Sequence, residues 1–323
     1  MPPATSGWQL VSPKHQPSAR ATLAIQLEMS SHACRQNHYE KLRKQGQYPA
    51  DVDIIPNYIC VINDRLFVSN NQGHVRCYTL VGRKLKLHKK FELSEIRYHV
   101  SCVAVTKDFI IAYERDQQHQ DKNLTVKDLS IHGHGGKFMN KFEFCDLPNQ
   151  ITADSSTKNY IWVCSHVNNQ CRLYNIHGSP YMLELLKELK RDISPYDIST
   201  SNSRYLTVMF SKYLLQLINR QDYSLYAEIS LEKFTRLGTE HTSKIYSVLL
   251  DNEQFLHIKY ASNPNGKDSE REIIIVDLSD PEQPKLINRL TTENHYGIAL
   301  SSSAPPQLII GQKWKQQGKL IVY

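Results

Sequence analysis

An all-β fold, a β-propeller with six blades favoured and seven the alternative, is predicted by three features of this sequence. Runs of five to seven apolar or aromatic residues with period-2 character recur along its length, bounded by Asn, Gly, Asp, Ser and Pro. No window after residue 50 carries a long apolar stripe at helical spacing. One type of strand returns at a nearly constant interval, starting at 75, 124, 171, 214, 273 and 319, in steps of 49, 47, 43, 59 and 46 residues. Four strands per interval make a small antiparallel sheet whose apolar faces can only be buried against neighbouring copies, and a ring leaves none exposed.

Residues 1–52 hold the first elements. The first 50 carry six Lys/Arg against two acids, a basic arm ahead of a nearly balanced body over 53–323. Within the arm, ATLAIQLE (21–28) sets Leu23, Ile25 and Leu27 on one face and Ala24, Gln26 and Glu28 on the other, as a strand does. SSHACRQNHYEKLRKQG reads as a short helix over 31–45, stopped at Gly46.

The body supplies the repeated strands. A first strand reads YICVIN, VSCVAVT, YDISTSN, IYSVLLD and YGIALSS, in five of the six units. A second reads RLFVSN, DFIIAYE, NYIWVCS, RYLTVMF, QFLHIKY and QLIIGQK. The third is VRCYTL (75–80), LTVKDL (124–129), CRLYNI (171–176), LLQLIN (214–219), IIIVDL (273–278) and KLIVY (319–323). The fourth is LKLHKKFEL, KFMNKFEF, YMLELLKEL, LYAEISL and PKLINRL. The sixth unit stops after its third strand, so the amino-terminal strand 21–28 is expected to fill the vacancy and close the ring.

One unit carries a resemblance. EIIIVDLSDPEQPKLI (272–287) resembles the LVIVD-type propeller repeat, in which a strand ends in Val-Asp, a Ser-Asp-Pro turn follows, and the next strand starts at Pro-x-Leu/Val. Asp280 and Pro281 favour that turn, because Pro presets φ near −65° and Asp hydrogen-bonds its own backbone. The other units are similar in style to degenerate WD40 or NHL blades and lack the Gly-His and Trp-Asp pair. The resemblance implies a propeller and brings no catalytic residue with it.

Composition narrows the class. Hydrophobic residues at 40% and charged residues at 22% are ordinary for a globular chain. No apolar run approaches the roughly 20 residues needed to cross a bilayer, and MPPATSGWQLVSPKHQPSAR has no apolar core of a secretory signal. An intracellular location, cytoplasmic or nuclear, and no membrane partner are therefore expected. The seven cysteines (34, 60, 77, 102, 145, 164 and 171) contain no C-x-x-C pair and lie mostly in apolar runs, as buried reduced thiols would.

Motifs for chemistry are sparse. IHGHGGKF (131–138) lacks the Ser/Thr and the following helix of a phosphate loop, and reads as a glycine-rich turn with His132 and His134 in solvent. HACRQNH offers His32, Cys34 and His38, but no second Cys/His cluster completes a zinc set. Asp51, Asp53, Asp197 and Asp251 have no distinctive spacing; Asp51 and Asp53 read as turn residues. No catalytic residue, metal or cofactor is assigned.

Two stretches stand out as partner-binding. In GRKLKLHKKF (82–91), Lys84, Lys86, His88 and Lys90 alternate with Leu85 and Leu87 and would form a basic face, although lysines also blunt exposed sheet edges. In GQKWKQQG (311–318), Trp314 lies between Lys313 and Lys315 in a predicted loop. The loops between second and third strands share one rim of a propeller; the long ones, 116–123 and 262–271, belong to opposite blades. The function expected is a non-enzymatic platform binding a protein partner through this loop face. The alternatives are a nucleic-acid-binding propeller using the arm and the 83–90 strand, and an enzyme with its site at the channel mouth.

Overall fold

The computed structural model describes residues 32–323 except 34, 43–47, 63, 82–83, 97–98, 116–126, 145–147, 155–157, 166, 211–212, 236–243, 253, 262–270, 292–294, 302–306 and 315–316. Among the described residues, 24 strands form six four-stranded antiparallel sheets, the six blades of a β-propeller. Blade 1 is β2 (Tyr58–Ile62), β3 (Arg65–Ser69), β4 (His74–Val81) and β5 (Lys84–Glu92). Blade 2 is β6 (His99–Val105), β7 (Phe109–Arg115), β8 (Lys127–Gly133) and β9 (Phe138–Glu143). Blade 3 is β10 (Pro148–Ala153), β11 (Tyr160–Ser165), β12 (Gln170–His177) and β13 (Met182–Lys190). Blade 4 is β14 (Pro195–Ser199), β15 (Tyr205–Phe210), β16 (Leu214–Asn219) and β17 (Leu225–Ser230). Blade 5 is β18 (Lys244–Leu250), β19 (Phe255–Ala261), β20 (Arg271–Asp277) and β21 (Lys285–Thr291). Blade 6 takes β22 (His295–Leu300), β23 (Leu308–Trp314) and β24 (Gln317–Val322) from the end of the chain and β1 (Tyr48–Val52) from its amino-terminal side.

The ring is thus closed by an amino-terminal strand, but at 48–52. Tyr48 pairs with Val322 and Val52 with Gly318, so the edge assigned to residues 21–28 is already occupied. Residues 21–28 lie outside the described residues. YPADV escapes a strand template because it has a proline and little alternation, yet an outermost strand tolerates proline. Val52 and Ile54 bury themselves between blades 6 and 1. The fit is tight: a Cβ on Gly318 would lie 1.9 Å from the carbonyl oxygen of Ile54.

The core consists of six apolar clusters, one at each junction between adjacent blades. This explains the four consecutive apolar residues of EREIIIVD. Ile273 and Ile275 point into the junction with blade 6, whereas Ile274 and Val276 point into that with blade 4. Each such side chain contributes about 1.5–3 kcal/mol on burial. The turn after β20 forms as its sequence requires: Asp280 Oδ1 accepts from the Glu282 amide at 3.1 Å, and its carbonyl accepts from the Gln283 amide at 3.1 Å.

A bulge recurs where the third strand meets the fourth in blades 1 to 5. It makes two residues of one strand face one of the other and exchanges the faces beyond that point. In blade 1 the shift falls between Cys77 and Tyr78, opposite Lys89 and Leu87.

The segment before β1 is also docked. Residues 32–33 and 35–40 are helical. Tyr39 and Leu42 are buried in the junction between blades 5 and 6. His32 stacks on Phe255 with ring centroids 4.7 Å apart and reaches Asp277 Oδ1 at 3.2 Å.

Candidate functional site

The six first strands surround a central lumen of about 950 Å³. Cross-blade hydrogen bonds set β2 parallel to β6, and β10, β14 and β18 parallel to one another. Tyr58 Oη donates to the Val100 carbonyl at 3.1 Å, and Cys60 Sγ to the Val103 carbonyl at 3.4 Å. Asn149 donates to the Pro195 carbonyl at 3.3 Å, and Thr200 to the Ala153 carbonyl at 2.5 Å. Asp197 accepts from the Val248 amide at 2.7 Å, and Ser201 from the Leu250 amide at 3.1 Å. The strand ends therefore gather at one mouth and the strand starts at the other.

The mouth at the strand ends is held by polar caps. Thr106, Asn202, Asp251 and Ser301 each follow a first strand and accept from a backbone amide at, or one residue before, the start of the second strand. Those amides belong to Phe109 (3.2 Å), Tyr205 (2.8 Å), Phe255 (2.8 Å) and Gln307 (2.8 Å). Asp154 receives Trp162 Nε1 at 2.9 Å and Arg220 Nη2 at 3.0 Å. Asp251 also accepts from Tyr39 Oη at 2.6 Å, which pins the amino-terminal helix to blade 5. The acids here are committed to structure.

The mouth at the strand starts is different. Tyr58, Tyr246 and Tyr296 line the lumen there, and Tyr196 occupies the matching position on β14. Tyr196 is 46% exposed and Tyr246 is 39% exposed. Because each second strand runs back along the first, the loops between second and third strands open at this same mouth. In blade 1, Asn70 Oδ1 organises that loop by accepting from the amides of Gln72 and His74, each at 3.0 Å. The long loops of blades 2 and 5 fall at 116–123 and 262–270, outside the described residues.

Just inside this mouth lie Asp197 and Lys259. Asp197 is 3% exposed. Burial raises its carboxyl to about 6, although the Val248 and Ile198 amides and the Ser247 hydroxyl pull the other way. Lys259, on β19 opposite Ser247, is the one second-strand residue lining the lumen among the described residues. Burial lowers its ammonium to about 8; the nearby Asp197 charge opposes that shift and Arg271 adds to it. Its Nζ rests 5.4 Å from the Tyr246 ring centroid.

The residues singled out in the sequence do not converge. Lys84 and Lys86 are exposed on β5, the outermost strand of blade 1. The bulge removes Lys90 from their face: it lies opposite Arg76 and places Nζ 2.9 Å from Asp53 Oδ2. Lys89 takes its place, opposite Cys77. Lys313 is half-buried near the end of β23, and Trp314 is the last residue of that strand, in register with Gln317, instead of a loop residue. Lys315 lies outside the described residues. Asp51 belongs to β1 opposite Lys319, and only Asp53 sits at the bend beyond it.

The histidines also depart from expectation. His132 ends in the buried part of β8, not in solvent, with Nε2 3.0 Å from Ser130 Oγ, and burial lowers its pKa to about 4. His134 is half-buried, its Nε2 3.1 Å from the Thr106 carbonyl. His32 is engaged by Phe255 and Asp277, and the His38 ring lies 5.5 Å from that of Tyr39. Cys34 lies outside the described residues.

Sequence reasoning missed Lys259, Tyr196 and Tyr246. A signal existed for Lys259: FLHIKYA is apolar throughout except for His257 and Lys259. Among the described residues no helix is long and apolar enough to cross a membrane.

No protein-family model matches the chain, and no curated protein does. Solved structures do. The RRP9 WD40 repeats superpose with a TM-score of 0.56 at 11% identity, over 85% of this chain and 97% of that one. The WD40 propeller domain of Doa1 gives 0.52 at 8% identity, over 85% and 95%. The Neurospora crassa Pan2 WD40 domain gives 0.50 at 11% identity, over 84% and 89%. At such identity the likeness is one of fold, and the chain has the fold of the WD40-like propellers.

Proposed function

We propose that this propeller is a non-enzymatic platform that binds a protein partner across the mouth at the starts of its first strands. The observation that carries the reading is the exposed pair Tyr196 and Tyr246 on adjacent blades, with Tyr58 and Tyr296 on the same rim. Tyrosine supplies a large, rigid, amphipathic contact at small entropic cost and is enriched where interface energy concentrates. Here the tyrosines stand on a rigid ring, at the mouth where its second strands end. Lys84 and Lys86, at the start of β5, lie toward the opposite mouth and form a separate peripheral contact in this proposal, suited to acidic groups. Lys313 and Trp314 lie at the rim of blade 6, near the same loops.

The alternatives gain less. A nucleic-acid surface along β5 is weakened by the bulge, which splits its cations between two faces and leaves Lys90 on Asp53. A catalytic site needs convergent groups, whereas Asp154 and Asp251 serve as caps.

The test is capture of partners from an extract of the source cells by the intact chain and by a Tyr196→Ser/Tyr246→Ser variant. Truncating an interface tyrosine typically costs about 2 kcal/mol, so the double variant is expected to lose its partner at concentrations where the wild type retains it. Equal recovery of the same proteins by both would overturn the reading.

A further inference from the structure

Blade 1 ends in an open edge. β5 is the outermost strand of its sheet, and among the described residues no strand pairs with its far side. Leu80 donates its amide to the Asp64 carbonyl at 3.4 Å, toward β3. Its pair with Leu85 therefore shares no backbone bonds, and Leu85 turns its own amide and carbonyl to the open edge. By alternation Leu87 does the same, while Lys84 and Lys86 bond toward β4 and set their side chains on one face.

The charge on that face is not balanced. Arg65 joins it across Thr79, and the bulge returns Lys89 to it, opposite Cys77. Strand spacing keeps the four cations within about 15 Å of one another. All four are exposed, and among the described residues none of them forms an ion pair. Lys89 instead rests its Nζ 5.6 Å from the Phe91 ring centroid. Outermost strands elsewhere set such charges against an opposite one. Lys141 of β9 meets Asp128, Glu188 of β13 meets Arg172 at 2.8 Å, and Arg289 of β21 meets Glu272 at 2.8 Å.

We propose that the edge of β5 takes up an extended acidic segment of a protein partner as a fifth, antiparallel strand of blade 1. Acids at alternate positions of that segment face Lys84 and Lys86, and the residues between them lie against Leu85 and Leu87. Lys84 and Lys86 then occupy the pairs without backbone bonds, in which opposing side chains come closest. Bonds to the outward groups of Leu85 and Leu87 supply affinity, and the lysines select the sequence. Leu87, 40% exposed, gains cover in the process. A second copy of this edge is a poor occupant, because it sets lysine against lysine. A phosphate backbone meets the lysines but offers no donor to the outward carbonyls. The inference rests on the reading of the ring as a protein-binding platform and adds a contact separate from the tyrosine mouth.

The test is fluorescence anisotropy of a labelled peptide, Gly-Glu-Val-Glu-Val-Glu-Gly, titrated with the folded, full-length chain at pH 7. Saturable binding is expected, and it should weaken as salt is raised. Lys84→Glu/Lys86→Glu, with melting to confirm an intact ring, should bind about tenfold more weakly. The same variant should take up Gly-Lys-Val-Lys-Val-Lys-Gly instead. Gly-Glu-Pro-Glu-Pro-Glu-Gly keeps the charge but lacks the amides that face Leu85 and Leu87, and should bind far less. Tyr196→Ser/Tyr246→Ser should bind the acidic peptide as the wild type does, so failure here and failure at the tyrosine mouth are read separately. Absence of saturable binding by the wild type, or equal binding by Lys84→Glu/Lys86→Glu, overturns the proposal. Equal binding of the proline peptide overturns strand addition. A single-stranded oligonucleotide that binds the same lysines more tightly than the peptide overturns the assignment to a protein segment.

Discussion

Arg76 and Asp53 form a two-point ion pair, Nε to Oδ1 at 2.6 Å and Nη2 to Oδ2 at 3.0 Å. It ties the third strand of blade 1 to the bend that follows the closing strand of blade 6. Lys90 adds a third contact from β5. The Arg76 guanidinium and the Lys90 ammonium hold the Asp53 carboxyl well below the usual carboxylate range. The pair is half open to water, so solvent screens it. Asp53→Asn is expected to lower stability by about 1 kcal/mol in denaturant melts at neutral pH. The loss should shrink at high salt and disappear in strong acid, where the wild-type carboxyl is protonated too. A salt-independent loss would point to packing instead.

Ring closure predicts a sharp boundary for truncation. Removing residues 1–30 leaves β1, Val52 and Ile54 in place, so the ring is expected to melt close to the full-length value. Removing residues 1–54 strips the pairing partner from Gly318–Val322 and takes Val52 and Ile54 out of the junction with blade 1. Those two side chains and Tyr39 and Leu42, which the same truncation removes from the junction of blades 5 and 6, contribute about 1.5–3 kcal/mol each; with a strand ladder lost as well, the total approaches the net stability of a typical domain. The longer truncation should therefore aggregate or melt far lower. Comparable melting of both forms would mean that another segment closes the blade.

Gly136 marks the junction of blades 1 and 2. It sits at φ +87°, and a Cβ there would lie 2.3 Å from the Glu92 carbonyl oxygen and 2.8 Å from the Phe91 ring. Its own carbonyl accepts from the Ser94 amide and hydroxyl, each at 3.0 Å. The glycines of IHGHGGKF therefore serve close approach between blades. Gly136→Ala should cost more than about 1–3 kcal/mol, the strain of the left-handed backbone plus the clash. Gly135→Ala, at an exposed position whose nearest neighbour is the flexible end of Lys89, should cost much less. Equal effects at the two positions would contradict this account.

The propeller was legible because its blades bury both faces of their middle strands, which leaves dense apolar runs such as IIIVD at a regular interval. The same physics hides the rest. β10 (PNQITA) borders the polar lumen and buries only Pro148 and Ile151, so it shows no strand pattern of its own. The closing strand YPADV sits at an edge, where neither face demands alternation. The bulge opposite Cys77 reassigns Lys90 to the other side of its strand, and nothing in KLKLHKK announces it. The tyrosine mouth and Lys259 are assembled from four blades that are distant in sequence. Only the topology brings them together.

Asp197 predicts an unusual pH response. Its folded-state pKa, about 6, lies above the ordinary carboxylate value of 3.8. The folded protein therefore binds this proton more tightly than the unfolded chain. The stabilisation it confers is fully present below about pH 4 and is lost as pH rises through about 6. A shift of about two pH units, in which the lowering by the Lys259 charge is already included, corresponds to roughly 3 kcal/mol. Asparagine keeps an oxygen for the Val248 amide but cannot ionise. Asp197→Asn should thus match the wild type within about 1 kcal/mol near pH 4 and become about 1–3 kcal/mol more stable by pH 8. Urea melts of the two proteins across that range would decide it. A stability difference that stays flat from pH 4 to pH 8 would mean that the Asp197 carboxyl titrates like one in water and is not a buried acid poised beside Lys259.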